Sequence, residues 1–493
     1  MFKITFRSPR PGLAVKLLIA ASIPFFISCY GIKSSKGGGQ LGRHMTRNPQ
    51  AADVLLAPGY KIDLVTKGLT YPTACTFDDK GELYVIEGGY SYGESWTRPA
   101  LIRISQNGDQ KVIASGSDNG PWTGVDFYEG HFYIAEGGSK AGGKILKIAP
   151  SGKIDTLIAN LPSGGDHHTN GPVVRNGFIY FSLGAATNSG VVGPDNAHYG
   201  WLKRKPTFHD IPCQDIILAG VNFDSEHALD KSAGSVTTGA YSPYGKPSAP
   251  NQRISGSIPC TGAVMRISVG GTKPEVVAWG YRNPFGLRFS PDGNLFVTEN
   301  AYDERGSRPI WGAGDILWQV KPGTWYGFPD FSGDMLLAGD IEFKAPGSPM
   351  VQSVLKEHPN KPPKPAAILE VHSSSSGFDF ANAAFGFAGE AFIAQFGDMA
   401  PDVGKTLAPV GFKLVRVDPA SGVIRDFAIN KGKRNGPASA LGNGGLERPV
   451  SVKFNEAGDE LYVVDFGIVQ MSKKGPHPQE KTGVIWKITK TQP

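Results

Sequence analysis

The chain has 493 residues, 40% of them hydrophobic and 19% charged, which supports a large buried core and excludes bulk disorder. Gly 65 and Pro 38 both exceed average usage and favour many short strands joined by turns over long helices. The net charge of +6 is small for this length and is partly concentrated in the N-terminal segment and in Lys431-Gly432-Lys433-Arg434, so no nucleic-acid partner is expected.

The first 29 residues read as a signal peptide. Lys3, Arg7, Arg10 and Lys16 form a basic region, and Leu17 to Ile27 form an apolar stretch too short to span a membrane. It ends at Ser28-Cys29, a small residue before a cysteine, the pattern of a bacterial lipoprotein, although Phe26 is unusual three positions before the cysteine. Residues 30–52 follow as a Gly-, Ser- and Lys-rich tether. The expected location is the periplasm or cell envelope, with membrane contact only through a lipid on Cys29. In that oxidising setting Cys213 and Cys260, each preceded by Ile-Pro, are expected to pair, and Cys75 in Thr73 to Phe77 to be a buried thiol. The sequence has no Cys-x-x-Cys-His haem motif, so any electron acceptor must be a separate molecule.

One strand signature recurs along the mature chain. Leu83-Tyr84-Val85 returns at Phe132 to Ile134, Ile179 to Phe181, Leu295 to Val297, Ala391 to Ile393 and Leu461 to Val463. Each copy follows a Gly-containing turn and precedes a second strand: Leu101 to Ile104, Ile145 to Ile148, Val264 to Ile267, Ile316 to Val320, Leu414 to Val417 and Val484 to Ile488. A single four-stranded unit of this kind cannot bury both faces, whereas a ring of six can. The sequence therefore predicts an all-β chain: a six-bladed β-propeller of four-stranded blades over residues 53–490. The last copy lacks an outer strand, and Tyr60 to Val65 is a strand without a blade, so the N-terminal strand is predicted to close the sixth blade. From Ile179 to Leu295 the spacing widens to 116 residues. Residues 188–259 are read as a long loop insertion capping one propeller face.

Four groups of residues could carry chemistry. Asp166-His167-His168-Thr169-Asn170 precedes the third copy. If this run were strand, consecutive side chains would face opposite ways, so one imidazole is expected to line the central channel as a general base and the other to pack or meet solvent. Arg282-Asn283-Pro284 offers a planar cationic fork and an amide. Glu299, Asn300, Asp303, Glu304 and Asp315 place hard oxygen atoms around the fourth copy, which suits Ca²⁺ better than Zn²⁺. Arg448, in Glu447-Arg448-Pro449, could add positive charge to the channel. Each group also has a plainer reading, as loop arginines satisfying carbonyls or as solvated acids.

The segments Ala278 to Phe331 and His168 to Gly190, within a likeness covering most of Leu56 to Ile488, resemble the glucose/sorbosone dehydrogenase family, and Ala185-Ala186-Thr187-Asn188 is closer to its sorbosone-dehydrogenase-like branch. These are soluble sugar dehydrogenases dependent on pyrroloquinoline quinone (PQQ) and built on a six-bladed propeller. The resemblance implies a PQQ-dependent oxidoreductase acting on CH–OH groups of a sugar or a related hydroxy or aldehyde compound. His168 is then the base, with His167 as fallback. Arg282, Asn283, Asn300 and Arg448 contact the cofactor, with Arg282 also at the reacting centre. Ca²⁺ is held by the loop of Ala301, Tyr302 and Asp303, together with Asp315. Three positions depart from the family pattern. Ala185 stands where glucose-oxidising members carry the Asp that orients the base, Phe285 replaces a Gln, and no Lys is found near Gln395 to Asp398. Asp166 could stand in for the missing acid. Two other readings of the same propeller are a metal-dependent lactone or ester hydrolase and a non-catalytic carbohydrate- or protein-binding module.

Overall fold

In the computed structural model, residues 46–491 are described apart from 93–94, 139, 199, 400–405, 407 and 473–474. The signal segment, Cys29 and the tether up to residue 45 lie outside the described residues. Six four-stranded antiparallel sheets form the body of the molecule. The innermost strands, in chain order, are Pro72–Phe77, Trp122–Tyr128, Thr169–Arg175, Pro284–Phe289, Ser375–Phe380 and Pro449–Phe454. Each contacts the next, and the sixth contacts the first, so the ring closes as a six-bladed propeller. The recurring signature is the second strand of each blade, at Leu83–Glu87, His131–Glu136, Phe178–Leu183, Leu295–Glu299, Ala391–Gln395 and Glu460–Asp465.

The strand alternation explains why the ring is stable. In His131–Glu136, Phe132 and Ile134 pack with Tyr84, Ile86 and Leu101 of the first blade, while Tyr133 and Ala135 pack with Ile179 and Phe181 of the third. Successive side chains point to opposite faces, and both faces are covered, so these strands read as nearly continuous apolar runs. The ring closes where expected: Tyr60–Leu69 pairs antiparallel with Gly483–Lys490, from Tyr60 opposite Lys490 to Leu69 opposite Gly483. A second N-terminal strand, Val54–Leu56, adds to the outer edge of the fifth blade against Val423–Asn430. Residues 46–52, read from sequence as tether, are partly docked. The Arg47 side chain is buried against Asp465 and donates to the carbonyls of Thr482 and Gly445. A lone arginine that fills a buried carboxylate site has no periodicity by which to announce itself.

The insertion at 188–259 has more structure than its composition indicates. It contains two short helices, Pro194–His198 and Trp201–Arg204, and two β-ribbons, Ile216–Ile217 with Arg253–Ile254 and Asn222–Glu226 with Ser235–Gly239. Cys213 and Cys260 form a disulfide, as expected, and Cys75 is free and buried. Both half-cystines join a core with the third blade and with Trp325, Val354 and Leu355 of a second insertion, 320–366 in the fourth blade.

A carboxylate ends four of the six second strands and tethers the chain entering a blade. Glu87 accepts from the Thr70 amide, and Glu136 accepts from Trp122 Nε1. Glu299 accepts from the Arg282 amide and Trp318 Nε1. Asp465 accepts from the Glu447 and Arg448 amides and Trp486 Nε1. Glu299 and Asp465, both buried, fix the head segments that carry Arg282 and Arg448.

Candidate active site

The loops between second and third strands and the head segments of the blades meet at one end of the central channel. There they enclose a cavity of about 330 Å³, with a smaller lobe of about 140 Å³ adjoining it. His167, Arg282, Asn283, Asn300, Ala301, Tyr302, Asp303 and Asp315 all line the larger part. Residues far apart in the chain therefore converge as expected. His168 and Phe285 line the smaller, aromatic lobe with Tyr90, Phe396 and Phe466. Tyr92, His167, Asn283, Asn300, Ser374 and Met399 are common to both.

The two histidines depart from the alternation expected of a strand. They lie in the turn before Thr169–Arg175, and both are buried and reach the cavity. The innermost strand also skips Gly171 and Pro172 in its pairing with the second strand, so counting residues back from the strand does not identify the one that faces the site. His167 Nδ1 lies 2.8 Å from the Ala185 carbonyl. That contact requires the proton on Nδ1 and leaves Nε2 as the lone-pair nitrogen. The backbone of Ala185 thus supplies the orienting acceptor that its side chain cannot. Among the described residues neither ring nitrogen of His168 has a hydrogen-bond partner; its ring packs edge-on against Tyr90 and near-parallel to Tyr92. Burial, partly offset by Asp166, pushes His167 down to about 3 and His168 down to about 4, so both are neutral at pH 7. Asp166 approaches His167, with Oδ2 3.7 Å from Nε2, rather than acting as a partner to His168.

Arg282 is heavily engaged. Its Nε donates to the Asn188 carbonyl at 3.0 Å, Nη1 to the Asn300 carbonyl at 3.1 Å, and Nη2 to Asn188 Oδ1 at 2.8 Å and Asp303 Oδ2 at 2.9 Å. Asn283 Nδ2 donates to Asn300 Oδ1, and Asn300 Nδ2 to the Ser375 carbonyl. Desolvation raises Asp303, but Arg282 and then Arg305 and His372 outweigh it and hold the carboxyl below the ordinary range. Asp315 accepts from the Ala301 and Ser375 amides and from Ser373 Oγ, so it braces the floor of the cavity.

Two expected residues stand elsewhere. Arg448 is fully buried, stacks near Phe396 and Phe412, donates to the carbonyls of Gly397 and Asp398, and is not among the lining residues. Glu299 is buried beneath the site, and burial pushes it up to about 7. Sequence reasoning missed Arg305, which binds Asp166, Asp195 and Asp303 together. It also missed His372, which lines the cavity with Nδ1 3.6 Å from Asp303 Oδ1. His372 has φ 62° and Ser374 φ 50°. Left-handed backbone at non-glycine residues costs about 1–3 kcal/mol each and clusters at functional sites.

No family model matches the sequence, and no curated protein matches it at a significant level. Solved structures do match. The chain is similar to the holo form of the pyranose dehydrogenase PQQ domain from Coprinopsis cinerea at 15% identity, covering 89% of this chain and 97% of that one, with a TM-score of 0.54. It is also similar to the calcium structure of a Trichoderma reesei enzyme of Carbohydrate-Active Enzymes Family AA12, at 15% identity over 90% and 98% of the two chains, with a TM-score of 0.53. The chain shares their fold.

The donor set fits a planar, oxygen-rich group under one condition. Among the described residues the buried His168 nitrogens find no hydrogen-bond partner, and Asn283, Asn300 and Ser374 bring polar side chains to both lobes. Against this, Arg282 and Arg305 face Asp166, Asp303 and Asp315 on the same wall, so a multiply charged anion needs a cation beside it. Among the described residues, no group of three or more His, Cys, Asp or Glu side chains is disposed to hold a metal.

Proposed function

We propose that this protein is a PQQ- and Ca²⁺-dependent oxidoreductase that removes hydride from a sugar or related hydroxy or aldehyde compound and passes electrons to a separate acceptor. The observation that carries this reading is the convergence of His167, Arg282, Asn283, Asn300 and Asp303 on one cavity at the channel mouth. PQQ, when bound, would supply the two-electron acceptor, and Ca²⁺ would offset its carboxylates and polarise the quinone. Asn283 and Asn300 would hold the cofactor, and Arg282 would fix the 300–303 loop around it. The base moves from His168 to His167, because only His167 has its tautomer set by a backbone acceptor with Nε2 free to take a hydroxyl proton. The same proposal includes export to the periplasm or cell envelope with a lipid on Cys29, a reading supported by the basic and apolar N-terminal segment that ends at Ser28-Cys29.

The test uses protein beginning at Thr46, equilibrated with PQQ and Ca²⁺, and reads retained quinone absorbance and dye reduction across aldoses, alcohols and aldehydes. Retained quinone with substrate-dependent reduction is expected. His167→Asn should keep the quinone and lose turnover by 10²-fold or more, in the range of general-base catalysis, and His168→Asn should lose much less. Failure to retain quinone at micromolar PQQ would remove the assignment. A second reading, a Ca²⁺-dependent lactone or ester hydrolase, is favoured by the acid-rich wall and by the burial of Arg448 away from it; it predicts turnover without quinone.

A further inference from the structure

Arg305 joins three segments that are remote in sequence. Its Nη2 pairs with Asp166, in the turn that carries His167. Its Nη1 donates to Asp195 Oδ2 at 2.8 Å, on the first helix of the insertion. Its Nε donates to Asp303 Oδ2 at 3.2 Å, on its own loop, where Arg282 is already bound. A guanidinium spreads its donors over three nitrogens in a fixed fork, one for each of these carboxylates, whereas a lysine concentrates its donors on a single nitrogen. One arginine therefore ties the third-blade turn, the insertion and the fourth-blade loop together at the cavity wall.

We infer that Arg305 is a positioning residue for His167, holding the Asp166 carboxylate off Nε2 and so leaving that nitrogen open to the cavity. The inference rests on the reading of His167 as the proton acceptor. Asp166 Oδ2 stops 3.7 Å from His167 Nε2, beyond hydrogen-bond range, and the same oxygen is held on the side of Arg305 by its Nη2. Were Asp166 released, it would accept from a protonated Nε2 and convert the base into a buried imidazolium already carrying the proton it should collect.

The charges facing His167 are few and can be named. Asp166 lies on its own turn, Arg282 comes from the head of the fourth blade, and Arg305 comes from the loop beyond it; the Ala185 carbonyl holds Nδ1. Asp166 favours the charged ring, while both arginines oppose it. Removing Arg305 deletes one opposing cation and frees the one attracting anion, so both changes act in the same direction. The insertion supplies Asp195 to this clamp, which gives the insertion a direct part in setting the base.

The decisive measurement is ¹⁵N NMR of histidine-labelled protein without cofactor, with the His167 signals assigned by their loss in His167→Asn. In wild-type protein, His167 should stay a neutral, Nδ1-protonated ring from pH 8 down to about pH 5. An opposite charge newly in contact moves a pKa by about 1–3 units, so from about 3 in wild-type protein the Arg305→Gln ring should be half or more imidazolium at about pH 4, where the wild-type ring is still mostly neutral. In the quinone-loaded enzyme, the acid limb of kcat/KM should move upward with it. Adding Asp166→Asn to Arg305→Gln should abolish the shift, which a general loss of packing would not do. Should Arg305→Gln not fold, Arg305→Lys keeps the charge but cannot bridge three carboxylates, and it should show the same change to a lesser extent. A folded Arg305→Gln, or failing that Arg305→Lys, whose His167 takes up its proton no higher in pH than the wild-type ring overturns the inference. Because this readout needs no quinone, it stands apart from cofactor retention, which tests the dehydrogenase reading itself.

Discussion

Arg282 Nη2 donates to Asp303 Oδ2 at 2.9 Å, joining the head of the fourth blade to the loop that leaves its second strand. The Arg282 side chain is almost fully buried, while Asp303 is partly exposed. The same guanidinium satisfies two carbonyls and an amide oxygen that have little access to water, so it organises the wall as well as contacting what lies inside it.

Arg282→Leu should therefore cost more than one surface ion pair. Removing one partner of a buried, hydrogen-bonded pair destabilises by about 3–5 kcal/mol. The second partner that Asp303 keeps in Arg305 should bring the loss to the lower end of that range. Urea unfolding of wild-type and variant protein measures it. A change below about 1 kcal/mol, the value of an exposed pair, would mean the network is not formed in solution.

Glu447, like Glu299, should make stability fall as pH rises. Burial raises Glu447 to about 7, with Arg47 partly opposing and Asp465 reinforcing the shift. Both carboxyls thus hold protons in the folded state that the unfolded chain releases near pH 4.5, so unfolding free energy should decline between about pH 4.5 and pH 7 and then level off. Glu447 accepts from the Ser439 amide and from its hydroxyl, which can rotate to donate or accept. Glu447→Gln should accordingly be near neutral at pH 5 and stabilising at pH 8, by on the order of 2–3 kcal/mol for a shift of this size. Denaturant titrations at the two pH values would show equal effects if the shift is absent.

The Cys213–Cys260 bridge closes a segment with a sequence separation of 47. Replacing both cysteines with serine should cost about 4 kcal/mol on the loop-entropy account. Because Asn188 and Asp195 reach the site from the same insertion, quinone retention should weaken as well. Thermal melts under oxidising conditions test the first effect, and equilibrium dialysis with PQQ tests the second.

The proposed lipid on Cys29 has a direct assay. Cells fed an alkyne-tagged fatty acid should label the wild-type chain and not Cys29→Ala, and only the wild type should sediment with membranes. Equal labelling of the two, or no labelling of either, would remove Cys29 as the lipid-bearing residue.

The architecture was legible because it is written in short-range pattern. Six apolar strand signatures with their turns name six blades, and an unpaired strand at each end of the mature chain implies closure. Alternation is a local property of the backbone, so it survives without knowledge of neighbours. That Arg282, Asn283, Asn300, Ala301, Tyr302, Asp303 and Asp315 share one cavity was likewise legible, since a dense polar run beside an apolar hairpin must lie at the hairpin's end. What the sequence could not decide depends on contacts between distant segments. The skipped pair Gly171-Pro172 determines how the turn before the third blade is set, and the Ala185 carbonyl then gives His167 its tautomer. The carboxylates of Asp166, Asp195 and Asp303 make Arg305 a clamp instead of a surface charge. The carbonyls of the fifth blade draw Arg448 away from the cavity. A side chain's charge and shape can be read from its letter, but its protonation and partner depend on the burial and the neighbours that only the closed ring provides.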